Sequence, residues 1–495
     1  MDIYDVSDSG QYMQVLNRHK EVLKAARARQ GEKPKDRRSR SELVDSFMIQ
    51  HRAGQLRQLM TSGLTNMHSS FVPPPYQPST ASLEKLKQMF VKDLRLETHH
   101  RGNYLLLRSI TPPNRMTAIM AIVEDEMKDA VLLQLFQQSD EMDRPATSIL
   151  KQDDVFLVKE PYFKVMADGN YGLRVDHVSD FVKIEPLDQR VPLHWSPRVL
   201  IFDKTADDWK LEGNDAMRRQ DYWAAIQKYR FTPSSMALAN LMFSYTAALG
   251  CPASIQEWKT VRLNRALAYL KNEYFDAALI DTGCPTSPSD APEKALYRAG
   301  QALYRLGRFS ECQEILTLLC KKYSNIGEAA VELTRVGCRL EEQQSGTYNF
   351  KAMYEQVSKL RPPHLDHATF IGPVTIKASK GRGRGLFTTK AVKAGDLILC
   401  EKAFAHCYAD AAEENAVNSS KISLLINVQT SQMSMGTQSD LITTVVQKLW
   451  RNPSLLPDFT SLHHGSYMPV DATGVDGNPI IDTYVIFPTA SNIVI

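Results

Sequence analysis

The sequence predicts a multidomain α+β protein. A small β-barrel-like domain comes first, an α-helical repeat solenoid follows, and a further β-rich segment lies near the C-terminal end. Three observations carry that prediction. Short β-type runs crowd the stretch from Tyr104 to Val175, small and aromatic residues recur every 34 positions after Trp209, and three glycines alternate with arginines near Lys380. At 495 residues the chain exceeds one ordinary core, so roughly two to four domains are expected.

The N-terminal stretch, 1–80, reads as a flexible, partly helical arm. Arg27, Arg29, Lys33, Lys35, Arg37, Arg38 and Arg40 make one part of it basic. No aromatic residues interleave those charges as single-strand binders require, so a solvated arm is favoured over a nucleic-acid contact or an import signal. Leu43, Phe47, Leu56 and Leu59 support a helix across Glu42 to Met60, and Pro73-Pro74-Pro75 with Pro78 marks a linker. Leu83 to Leu94 reads as helical. A net charge of +3 singles out no partner. No apolar run reaches membrane-spanning length, and the acidic start Met1-Asp2-Ile3-Tyr4-Asp5 lacks a signal-peptide core. The seven cysteines form no Cys-x-x-Cys pair, which points to reduced thiols, an intracellular setting (cytoplasmic or nuclear) and no zinc knuckle.

Residues 81–200 are expected to form the small β-rich domain. Six runs mark its strands: Tyr104–Leu107, Thr117–Val123, Val131–Phe136, Val155–Val158, Phe163–Met166 and Gly172–Val175. Asp168-Gly169 between two apolar runs signals a hairpin. Six short strands in so little chain suggest a barrel or sandwich in a scaffold role. Glu124-Asp125-Glu126 and Asp153-Asp154 read as turns or solvated faces, and His99-His100 and His463-His464 as loop or surface residues rather than metal ligands.

Residues 201–360 are repetitive. Ala268 and Ala302, Phe275 and Phe309, and Ala278 and Cys312 are each 34 apart, the period of the tetratricopeptide repeat (TPR), a helix–turn–helix unit. Lys210-Leu211-Glu212-Gly213-Asn214 through Tyr229 supplies an earlier unit, and Gly327 to Leu360 a degenerate cap. The first unit resembles a TPR helix interrupted by Arg230–Tyr245, because joining Tyr229 to Thr246-Ala247-Ala248-Leu249 restores the helix. An unspliced intron or wrong gene model is favoured over a genuine loop-helix insertion. TPR domains that bind the acidic C-terminal tails of heat-shock chaperones carry a "carboxylate clamp": Lys-x-x-x-Asn, then Asn, then Lys-x-x-x-Arg. This chain shows Lys210 and Asn214, Asn264, and Lys294 and Arg298. The resemblance implies that the cations neutralise carboxylates while the asparagine amides donate orienting hydrogen bonds.

The last segment begins with Lys380-Gly381-Arg382-Gly383-Arg384-Gly385-Leu386-Phe387, followed by Val392-Lys393-Ala394-Gly395-Asp396 and Leu397–Glu401. A P-loop fails because no Gly-Lys-Ser/Thr follows, and a dinucleotide fingerprint fails on glycine spacing. The block resembles the opening of a SET domain, and with the preceding repeats the chain resembles SET/MYND-type protein-lysine methyltransferases, without the MYND finger. The resemblance implies strands at Val374–Lys377, Leu386–Thr388 and Leu397–Glu401, and helices at Ser420–Asn427 and Asp440–Trp450. It also implies S-adenosylmethionine lying against Lys380, Arg382, Gly383, Arg384 and Gly385. The family's Asn-His motif has no counterpart, since the chain holds no Asn-His dipeptide. The expectation is therefore a partial SET domain at 365–484, an aberrant apolar tail at 485–495, no assignable catalytic residue, and weak or no cofactor binding.

The favoured reading is a protein-binding TPR module fused to the N-terminal part of a SET-type domain that is catalytically compromised. The first alternative is an active S-adenosylmethionine-dependent protein-lysine N-methyltransferase, on histone or other substrates. The second is a chaperone-tail-binding TPR adaptor. Protein or peptide ligands in the repeat groove are the expected partners; membrane and nucleic acid are disfavoured.

Overall fold

A computed structural model describes residues 3–5, 10–60, 66–72, 76–141, 143–166, 169–184, 188–195, 206–231, 255–284, 288–323, 327–360, 364–407, 421–427, 432–435 and 437–460. Outside them lie Pro73–Pro75, Asp168, 232–245 of the repeat insert, its exit at Thr246–Leu249, His463-His464 and the tail 485–495. The chain divides into two compact units. One comprises Met1–Leu200, Ala405–Trp450 and Asp458–Ile495; the other comprises Ile201–Phe404 and Arg451–Pro457.

The first unit is built on a ten-stranded sheet. Its main path runs Phe181–Lys183, Val155–Lys159, Asn103–Ser109, Ile119–Glu124, Ala130–Leu135, Tyr171–Val175, Tyr162–Val165, Thr98–His99. All six strands read from the sequence are present. The turn at Gly169 joins two of them, with Met166 N–H donating to Asn170 O at 2.7 Å and Gly169 at φ +83°. Ala130–Leu135 and Tyr171–Val175 pair in parallel. Leu105, Leu107, Ile119, Leu133, Phe156 and Leu173 alternate onto one face and are fully buried, as period-2 patterning requires.

The expected barrel is not formed. Among the described residues no ladder joins Phe181–Lys183 to Thr98–His99, the two ends of the path. Closure needs a continuous staggered ladder, and these end strands have only three and two residues. Leu83 to Leu94 is not a helix either. Two single 3-10 turns flank the strand Lys87–Met89, which adds in parallel to Asn103–Ser109.

The basic arm is docked rather than solvated. The helices Gly10–Ala28 and Arg40–Met60 flank a segment pinned to the sheet domain by its cations. Arg37 donates to Val91 O and Leu94 O at 2.7 and 2.9 Å. Lys33 pairs with Asp93, and Arg29 donates to the Tyr171 hydroxyl. Arg40 and Arg108 share Glu124, whose carboxylate is buried. Asp125 is buried too and accepts from Val91 N–H at 2.7 Å. His100 is likewise buried and His99 half-buried. His100 Nδ1 donates to Pro161 O while its Nε2 accepts from Arg95 N–H, which fixes the neutral ring. Burial depresses its pKa accordingly.

Ser420–Asn427 was expected to be helical, but Lys421–Asn427 is a strand. It pairs in parallel with Asn66–Val72 and antiparallel with Gln432–Met435. The helix Thr437–Arg451 matches its expectation. Its Gln447 donates to Gln137 O and accepts from the Ser139 hydroxyl. Ala405–Trp450 belongs to the first unit.

The second unit is a run of antiparallel helix pairs. They are Ala206–Arg218 with Tyr222–Phe231, Ile255–Lys271 with Phe275–Thr282, and Glu293–Arg305 with Phe309–Lys322; the helices Gly327–Ser345, packed on Phe309–Lys322, and Phe350–Lys359 follow. One device closes the first helix of the first three pairs. Gln220, Glu273 and Gly307 take φ of +61°, +62° and +74°. In each turn the next N–H returns to a carbonyl five residues back: Asp221 to Ala216, Tyr274 to Tyr269, Arg308 to Leu303, all at 2.9 Å. That is the left-handed helix stop with its long-range backbone bond. Glu273 and Gly307 keep the 34-residue period, whereas Gln220 and Glu273 stand 53 apart, so the added length falls in 232–254. Ala225, Ala278 and Cys312 occupy matching positions and are completely buried, which lets paired helices approach closely.

A polar clasp ties the later helices to the glycine-rich segment. Glu342 accepts from Arg339 at 2.6 Å, His367 Nδ1 at 2.7 Å and Ala368 N–H at 2.8 Å. Asp366 accepts from the Tyr304 hydroxyl and Arg335 Nε, each at 2.8 Å. These cations hold the Asp366 carboxyl below its usual range against the opposing effect of burial. The segment Arg451–Pro457 returns to the second pair. Asn452 Oδ1 accepts from Phe275 N–H at 2.7 Å and its Nδ2 donates to Glu273 O at 2.9 Å. It thereby caps a helix whose own preceding residue, Tyr274, gives no side-chain cap.

Candidate functional site

All five clamp candidates lie on the first helices of the first three pairs. Lys210 and Asn214 are four apart on Ala206–Arg218, Lys294 and Arg298 four apart on Glu293–Arg305, and Asn264 stands on Ile255–Lys271 between them. The i, i+4 spacing puts each Lys-x-x-x pair on one helix face.

The structure brings the two asparagines together. Asn264 Nδ2 donates to Asn214 Oδ1 at 3.2 Å. The Tyr229 hydroxyl donates to the same oxygen at 2.8 Å. Tyr229 belongs to the helix that packs back onto the first, and its ring is buried. The ring fits because residue 213 is glycine: a Cβ there would stand 2.3 Å from Tyr229 Cε1. Burial pushes the Tyr229 pKa up to about 12, while the Arg298 charge pulls it the other way. Arg298 donates to Leu263 O, and burial draws its own pKa down. Arg298 is thus tied to the backbone next to Asn264, and its charge is felt at Tyr229.

The two lysines differ. Lys294 is exposed one turn before Arg298. Lys210 is held by Asp207, three residues earlier on its own helix, so a ligand carboxylate meets a lysine that already has a partner. Close by, Lys228 pairs with Glu212 at 2.8 Å and lies over the Trp209 ring at 5.0 Å. The first helices of three pairs carry these cations and amides, a chemistry suited to carboxylate and carbonyl acceptors. Sequence reasoning placed Tyr229 only as part of the first repeat unit. The signal available was Gly213 sixteen positions earlier, a small residue opposite a large ring.

The glycine block forms an isolated hairpin. Val374–Ser379 pairs with Gly383–Thr388, Ser379 facing Gly383. Arg382 N–H donates to Ser379 O at 2.9 Å across a turn whose third residue, Gly381, has φ +74°. Such a turn demands positive φ at that position. Gly381 is therefore the glycine whose conformational freedom is used, whereas Gly383 and Gly385 lie within the strand. Val392–Asp396 makes the expected turn, with Gly395 at φ +94° and Lys393 N–H donating to Asp396 Oδ2 at 2.7 Å. The third strand is shorter than expected, Leu399–Cys400 against Phe370–Ile371. Lys380 and Arg382 are exposed, Gly385 is half-buried, and Ile376 and Leu386 stand opposite each other 65% and 55% exposed. The Arg384 side chain lies outside the described residues. The described residues of the hairpin are mostly exposed and form one open wall. No cluster of three or more His, Cys, Asp or Glu suited to a metal exists among the described residues. None of the described helices is long and apolar enough to cross a membrane.

No family model matches the chain. A curated protein of Gibberella zeae named methyltransferase is 37% identical over 491 residues, which is 99% of this chain and 62% of that protein. The chain thus spans under two thirds of that relative's length. Among solved structures, two of the myosin chaperone UNC-45, one of them from C. elegans in complex with a Hsp90 peptide, share 22% identity over 31% of this chain and 15% of theirs, with a TM-score of 0.22. The C-terminal TPR-containing domain of a Plasmodium falciparum FK506-binding protein shares 22% identity over 28% of this chain and 89% of its own, again with a TM-score of 0.22. The case for TPR-like pairs rests on the recurring turn and the 34-residue spacing.

Proposed function

We propose that the helical-repeat groove binds peptides ending in a free carboxylate, with acidic chaperone tails as the ligand class. The observation that carries the proposal is the Asn264–Asn214 amide contact, with Arg298 bonded to the carbonyl of Leu263, the residue before Asn264, and Lys294 exposed one turn from Arg298. Titration of the full chain with a short glutamate-rich peptide ending in aspartate tests it. Hydrogen bonds to charged groups contribute about 1.5–3 kcal/mol, so Lys294→Ala and Arg298→Ala should each weaken binding roughly tenfold or more. Affinity equal in wild type and both variants would end the proposal.

The second part of the proposal concerns the glycine hairpin. A relative named methyltransferase matches along nearly the whole chain, and Lys380, Arg382, Gly383, Arg384 and Gly385 resemble the cofactor hairpin of SET domains. Together they favour an origin among S-adenosylmethionine-dependent protein-lysine methyltransferases, with the repeats recruiting protein partners in the cytoplasm or nucleus. The open hairpin favours protein binding over methyl transfer as the activity we propose for this chain. Calorimetry with S-adenosylmethionine tests that order: weak or no heat is expected, and micromolar binding would reverse it.

A further inference from the structure

We infer that Tyr229 is the positioning residue that makes the groove select a free carboxylate, a role that rests on the peptide-binding reading above. An asparagine amide offers one acceptor oxygen and two donor hydrogens, and either end can face a ligand. At Asn214 the choice is already made. The Tyr229 hydroxyl and Asn264 Nδ2 both donate to Asn214 Oδ1, at 2.8 and 3.2 Å. A carboxamide oxygen with two donors on it stays turned toward them, so the Nδ2 hydrogens are the end left for a ligand. Asn264 spends one amide hydrogen on Asn214 and keeps the other.

The phenol can act only in this direction. Asn214 Oδ1 has no hydrogen to give, so Tyr229 must donate, and its buried ring keeps the hydroxyl protonated. Gly213 completes the device. With a Cβ at this position the ring would be driven off Asn214, since the nearest ring atom stands 2.3 Å from where the Cβ would be. The positive charge of Arg298, on the first helix of the third pair, acts on the same phenol. Amide donors together with a cation suit a carboxylate. A C-terminal carboxamide brings its own N–H groups against those donors and leaves the cation without a counter-charge.

The test compares one glutamate-rich peptide ending in aspartate with its C-terminal amide, on the full chain. Wild type should prefer the free acid by roughly tenfold or more. Tyr229→Phe keeps the ring against Gly213 and removes only the hydroxyl. It should leave the melting curve close to wild type while lowering the acid-to-amide ratio about threefold to tenfold. A purely packing role for the hydroxyl would change the melt and leave the ratio untouched. Asn214→Asp supplies an arm independent of how that variant folds, because its carboxylate still accepts from Tyr229 and Asn264 but offers no donor. It should keep the fold and lose the preference. An unchanged ratio in Tyr229→Phe, or a preserved preference in Asn214→Asp, overturns the inference while leaving wild-type acid binding intact. A wild type that binds neither peptide, or binds both alike, overturns the peptide-binding reading and this inference with it.

Discussion

Replacing Lys164 with methionine should stabilise the protein. Lys164 lies on the strand Tyr162–Val165 and is only 8% exposed. Arg174 and His19 are charged or chargeable neighbours, and Glu97 and Asp176 oppose them. Burial wins, with the like charge of Arg174 adding to it, and the amine is drawn from 10.5 down to about 8. At about 1.4 kcal/mol per pKa unit, that separation costs roughly 3 kcal/mol whenever the amine is charged in both states. A base whose folded pKa is depressed binds fewer protons folded than unfolded between the two values. Its stabilising share is present above about pH 10.5 and is lost as pH falls through 8. Methionine has similar length and no charge to desolvate. Lys164→Met should therefore gain up to about 3 kcal/mol at pH 7 in urea denaturation, and the gap to wild type should narrow from pH 8 upward. Parallel stability curves for the two proteins across that window, or a less stable variant at pH 7, would refute the reasoning.

Three further outcomes follow from the packing of the repeats. Glu342→Ala removes a buried acceptor shared by Arg339, His367 and Ala368 N–H; a loss of about 3–5 kcal/mol is expected, read as limited proteolysis opening first between Asp366 and Ile371. Asn452→Ala deprives Phe275–Thr282 of its cap and should cost about 1 kcal/mol, detectable as faster hydrogen exchange at Phe275 and Asp276. Gly213→Ala forces a methyl against the Tyr229 ring, whereas Gly300→Ala meets only the end of Leu316 at 2.8 Å. The first should lose about 1–3 kcal/mol by thermal melting and the second less.

What the sequence made legible was local. The six strands of the sheet domain follow from alternation within each run, and the repeats follow from residues 34 apart that meet the same neighbours. Contacts far apart in sequence were hidden. Lys421–Asn427 carries a helix-compatible pattern, but a parallel ladder with Asn66–Val72 makes it a strand. Arg37 and Arg40 read as solvated charges because their partners, two carbonyls and Glu124, lie at least fifty residues away. At the site, spacing alone found Asn214 and Asn264, but not the hydroxyl that turns their amides. The glycine block shows the limit most plainly: its composition marked a ligand approach, while the one glycine with a positive φ in the hairpin serves its turn.

The central claim is that three first helices of the repeats hold a peptide by its terminal carboxylate. Calorimetric titration of the wild-type chain with the free-acid and amidated forms of one acidic peptide tests it most directly. The account predicts that the free acid binds about tenfold to a hundredfold more tightly, the worth of hydrogen bonds to a charged group. Equal affinities for the two forms would contradict it.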